Sequence, residues 1–79
     1  MDFELLAWGS AFESSFDQRQ MLARWNGKPD VAQVQKEIDW FLSRFKFDEI
    51  RQQFDGNNSH YDVIKDGKWK TVYFMLLEN

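Results

Sequence analysis

The sequence predicts a single α+β domain over residues 1–79, with two or three N-terminal helices packed on a C-terminal antiparallel β-hairpin and residues 3–8 as a candidate third strand. Three observations lead there. Apolar residues recur at intervals of three and four through residues 5–45, an Asp66-Gly67 pair sits between β-prone flanks, and a chain of 79 residues without a long linker has room for one core only.

Two turn-forming clusters, Asn26-Gly27-Lys28-Pro29 and Asp55-Gly56-Asn57-Asn58-Ser59, divide the chain into three segments. In the first, Leu5, Trp8, Phe12 and Phe16 follow a helical period that Leu22 and Ala23 continue. Ser10-Ala11-Phe12-Glu13 reads as a capping box directly after Gly9, which would start the helix at Ser10 and leave residues 3–8 free to form a strand.

The second segment opens on Asp30 as N-cap with Gln33 three residues on, and Val31, Val34, Ile38, Phe41 and Phe45 form one apolar stripe. Trp40 points away from that stripe, on the side shared by Phe47, Ile50 and Phe54. The apolar side therefore changes near Lys46. Either the helix breaks between Phe45 and Asp48, with Asp48 capping a further short helix through Phe54, or it runs on and offers a second apolar face to a neighbour; the first is favoured because monomers rarely expose large apolar patches.

The third segment is the hairpin, from Tyr61 to Lys65, turning at Asp66-Gly67 and returning from Lys68. A two-residue loop sets Lys65 opposite Lys68, Ile64 opposite Trp69, Tyr61 opposite Val72 and His60 opposite Tyr73. Residues 74–77, Phe-Met-Leu-Leu, then overhang and need cover on both faces. The candidates are residues 3–8, the helices, or a second copy of the chain.

Composition narrows the function classes. There is no cysteine and one histidine, His60, so disulfides and thiolate metal sites are excluded, and no acidic run has calcium-loop spacing. No cofactor or metal is expected. Ser59, His60 and Asp62 are too close in sequence to form a nucleophilic triad, which needs residues converging from separate elements; no phosphate-cradling glycine motif occurs. The chain reads as a binder, not an enzyme.

A net charge of −3 disfavours non-specific attachment to nucleic acid and anionic membranes, and no window approaches the roughly 20 apolar residues of a membrane span. Cytoplasm is the expected compartment. Aromatic residues make up 18% of the chain, and rings that each bury roughly 150–250 Å² exceed what so small a core encloses, so some should reach the surface.

These features point to a stoichiometric protein-binding module, an inhibitor, immunity protein or adaptor of the kind phages and mobile elements encode, with a homodimer as one arrangement. The candidate contact residues are Trp40, Phe47, Lys65, Lys68, Trp69, Lys70, Phe74 and Leu76. Lys65, Lys68 and Lys70 crowd one face of the hairpin, where like charges repel and call for an anion. The alternative is therefore a nucleic-acid-associated regulator that uses those lysines against phosphate.

Overall fold

The computed structural model describes residues 1–55 and 58–79. The strands are β1 (Asp2–Trp8), β2 (Gln20–Asn26), β3 (Glu49–Asp55), β4 (Asn58–Lys65) and β5 (Lys68–Glu78), with one α-helix, α1 (Val31–Ser43), between β2 and β3. Short 3₁₀ turns at Ser10–Phe12 and Phe16–Gln18 link β1 to β2. All pairings are antiparallel, in the order β2-β1-β5-β4-β3. The fold is thus mostly a five-stranded sheet carrying a single helix, which corrects the expectation of two or three helices on a hairpin; α+β holds only in the loose sense of one helix on an antiparallel sheet.

The hairpin forms in the expected register, with Lys65 opposite Lys68 and His60 opposite Tyr73. Asp66 and Gly67 both take positive φ, 54° and 78°, as a two-residue turn matched to strand twist requires. The overhang of residues 74–77 is covered by β1, which pairs Ala7 with Phe74, Leu6 with Met75, Leu5 with Leu76 and Glu4 with Leu77.

The expected first helix is instead β1, the two 3₁₀ turns and β2. Leu5 and Trp8 lie an odd number of residues apart, so in a strand they face opposite sides, and their helical spacing is coincidental. Ser10 does not cap a helix; its Oγ accepts the Thr71 N–H at 2.9 Å, and Glu13 turns into the left-handed region at φ 55°. That bond ties the turn after β1 onto β5.

The second helix begins where expected. Asp30 Oδ1 accepts the Gln33 N–H at 2.8 Å, and the Asp30 N–H donates to Gln33 Oε1 at 2.9 Å, closing a reciprocal cap. Ile38, Phe41 and Leu42 are buried, whereas Val31, assigned above to the core stripe, is 84% exposed. The chain leaves the helix after Ser43 and turns at Lys46, φ 50°, but no helix restarts at Asp48. Glu49–Asp55 is the edge strand β3. A four-residue apolar spacing fits helix and strand alike, and pairing with β4 overrides the helix-forming Glu49, Arg51, Gln52 and Gln53 of this segment. Gly56 and Asn57 of the second turn cluster lie outside the described residues.

Helix α1 covers one face of the sheet, where Leu5, Ala7, Tyr61, Val63, Val72 and Phe74 meet Ile38, Phe41 and Leu42. Phe41 anchors an aromatic cluster, with ring centroids 5.4 Å from Phe12, 4.9 Å from Phe45 and 6.0 Å from Phe74. Such pairs add about 0.5–1.5 kcal/mol each beyond area burial, which helps a chain of this size hold together without disulfides. Among the described residues, no helix is long and apolar enough to cross a membrane.

One core group titrates. Burial pushes the Tyr61 hydroxyl above its ordinary 10.0; the Asp39 carboxylate pushes the same way, and a hydrogen bond from the Gln35 amide, Nε2 to Oη at 3.2 Å, pulls against both. The unfolded chain releases this proton at lower pH than the native protein, so Tyr61 contributes stability below about pH 10 that is lost as pH rises through the native value. Urea midpoints are expected to fall above about pH 10, and Tyr61→Phe should flatten that fall at a cost of about 1 kcal/mol at neutral pH.

Candidate functional site

Strand alternation places Lys65, Lys68 and Lys70 on the helix side of the β4–β5 hairpin and Trp69 on the other. Lys65 and Lys70 lie beside the segment that leaves the C-terminal end of α1, and Lys68 is exposed at the hairpin end. There the chain leaving the helix brings Phe45 against the core, and the turn after β1 brings Phe12 beside it, with ring centroids 4.8 Å apart. Together these elements enclose an open concavity of about 520 Å³, lined by Ala11, Phe12, Glu13, Gln20, Phe45, Lys65, Asp66 and Lys70.

The concavity has an apolar floor and a charged rim. Lys65 Nζ stands 6.0 Å from the centre of the Phe45 ring, and the residue is half-buried. Among the described residues, none of the three lysines forms an ion pair. Glu13 and Asp66 are exposed carboxylates on the same lining. This arrangement can hold an apolar group against the rings while pairing an anion with the lysines.

The remaining candidate residues scatter. Phe47 packs against the core and stacks on Phe45 at 5.8 Å, so it supports the concavity from behind. Phe74 is 1% exposed beneath α1, and Leu76 is half-buried opposite Leu5; Phe74 is a core residue, not a contact surface. Trp40 is 60% exposed on the outer side of α1, with the Arg44 guanidinium 4.9 Å from its ring centre, apart from the concavity. Trp69 is 53% exposed on the face opposite α1, where the Arg51 guanidinium lies 5.3 Å from its ring.

Sequence reasoning missed two sets. Phe12, Phe45 and Gln20 line the concavity because the fold brings distant turns together, and no local pattern announces that. On the face opposite α1, Trp8 stacks on Tyr73 at 5.5 Å and His60 lies 5.3 Å from Tyr73, a row half legible from the expected pairing of His60 with Tyr73. His60 Nε2 is 3.1 Å from Asp62 Oδ1. Among the described residues no three His, Asp or Glu side chains are grouped to hold a metal.

Comparison with protein-family models, with curated proteins and with solved structures finds no match for this chain.

Proposed function

We propose that the protein is a stoichiometric binding module, of the inhibitor or adaptor type, that docks an acidic segment of another protein in the concavity between the hairpin lysines and the Phe12–Phe45 pair. The observation that carries this reading is the juxtaposition of two lysines without an ion pair among the described residues, Lys65 and Lys70, with an aromatic floor in one cavity of about 520 Å³, with Lys68 beside it, across the strands from Lys65. An exposed lysine–carboxylate pair contributes only about 0.2–1 kcal/mol, so charge alone would bind weakly. An apolar side chain seated on the rings supplies the rest, at roughly 25 cal/mol per Å² buried. The partner is therefore an acidic peptide segment with at least one aliphatic or aromatic anchor.

Phosphate backbones suit this site less well. Glu13 and Asp66 would repel a continuous polyanion, and the chain's net charge of −3 opposes its approach. Replacing Lys65, Lys68 and Lys70 together by Gln is expected to weaken capture of acidic, single-anchor peptides about tenfold or more, while thermal stability stays level or rises slightly as mutual repulsion is relieved. Titration calorimetry on wild type and the triple variant tests it. Loss of folding in the triple variant would show that the lysines have a structural role, and tighter binding of a single-stranded oligonucleotide with a steep log-linear salt dependence would favour the nucleic-acid reading.

A further inference from the structure

Among the described residues, no helix or second sheet covers the face of the sheet opposite α1. Its centre is a stacked row in which Tyr73 lies between Trp8 and His60, and Phe16 closes the row edge-on against Trp8 at 5.0 Å. Met75 and Leu77 continue the apolar strip along β5. The middle strand of five is β5, and Tyr73 is the middle of the residues it presents on this side. Tyr73 is thus the geometric centre of the uncovered face.

We infer that this face is covered by a second copy of the chain, sheet packed on sheet in a symmetric β-sandwich dimer. Size supports it: five strands about 4.8 Å apart and about seven residues long, at roughly 3.3 Å each, span about 24 by 23 Å. Covering that area buries about 550 Å² per copy and about 1,100 Å² in total, just above the roughly 1,000 Å² that a biological interface should clear.

Charge supports it too. The charged residues around the strip have both signs, with Arg51 and Glu49 on β3, Asp62 on β4, Asp2 and Glu4 on β1 and Arg24 on β2. A surface of mixed sign can be complemented by its own copy under a two-fold axis. A single-stranded nucleic acid stacking on the same rings would meet four carboxylates, Asp2, Glu4, Glu49 and Asp62, which disfavours it. The arrangement is independent of the lysine concavity, which lies on the helix side and stays outward in the dimer.

The test exploits the position of Tyr73. Any two-fold axis through the centre of the face brings Tyr73 next to its symmetry mate, so one new charge there is doubled across the interface. Wild-type protein is expected to sediment at twice the 9.5 kDa chain mass. Tyr73→Glu and Tyr73→Lys should each weaken dimerisation about 100-fold, and an equimolar mixture of the two should recover the dimer. Tyr73 is only half-buried, and circular dichroism checks that both variants stay folded. Should either unfold, Trp69→Glu, exposed on the same face, takes its place as the single-variant test. A monomeric wild type, a dimer that Tyr73→Glu leaves intact, or a mixture that stays monomeric would each overturn the inference. So would a monomer whose tryptophan fluorescence is quenched on binding oligothymidylate.

Discussion

Phe74→Ala is expected to cost about 3–5 kcal/mol, a large part of the roughly 4–12 kcal/mol available to a domain of this length. The ring is 1% exposed, meets Phe41 edge-on at 6.0 Å and Tyr61 at 5.5 Å, and sits on the central strand between Ala7 of β1 and Ser59 of β4. Truncation leaves a cavity where helix and sheet meet, and neither can collapse into it without breaking the register on both sides of β5. Urea denaturation followed by circular dichroism should show a strongly lowered midpoint or no folded baseline. Trp40→Ala, by contrast, should move the midpoint by no more than about 0.5 kcal/mol, because that ring is mostly in water. Equal losses for the two would mean that α1 packs differently from the arrangement described.

Gly9→Ala should be nearly as damaging, on the order of 3 kcal/mol, though it only adds a methyl group. Gly9 has φ 144°, and a Cβ there would stand 2.3 Å from the Thr71 carbonyl oxygen and 3.0 Å from Val72 Cα. Both obstacles are backbone of β5, so neither can swing aside. Gly27→Ala separates the two causes. Gly27 also has positive φ, 94°, but a Cβ there meets nothing within 4 Å, so it carries conformational strain alone and should cost about 1 kcal/mol. If thermal melts give the two variants the same midpoint, the close approach of the β1 turn to β5 is not what selects glycine at position 9.

The parts of the fold legible in the sequence are those whose signal is local. Asp66-Gly67 determines a two-residue loop and therefore a register; Asp30 with Gln33 marks the start of α1 within a single turn. The two edge strands were hidden because their signal is not. Gln20–Asn26 holds no β-branched residue and Glu49–Asp55 only Ile50, so each becomes a strand only once β1 or β4 offers hydrogen bonds. The candidate site divides the same way. Three lysines within six positions of a hairpin are visible in one dimension, but their neighbours Phe12 and Phe45 arrive from a turn and a helix end far away in sequence. Phe74 reads from the sequence as a contact residue because an apolar run longer than its hairpin partner looks unpaired, whereas β1 is the strand beside it and the ring is buried.

The position of β5 also governs the order in which the molecule can assemble. The β1–β2 and β3–β4 pairs touch different edges of that one strand and share no edge of their own. During synthesis, both earlier hairpins must wait with their inner edges bare until residues 68–78 emerge, and α1 has no complete surface to settle on before then. Folding should therefore be a late, concerted event that is slow for a chain this short, since its decisive pairing joins residues 3–8 to residues 73–78. Backbone amides of β5 should then exchange with solvent only through global unfolding, while those of β2 and β3 open locally at the sheet edges.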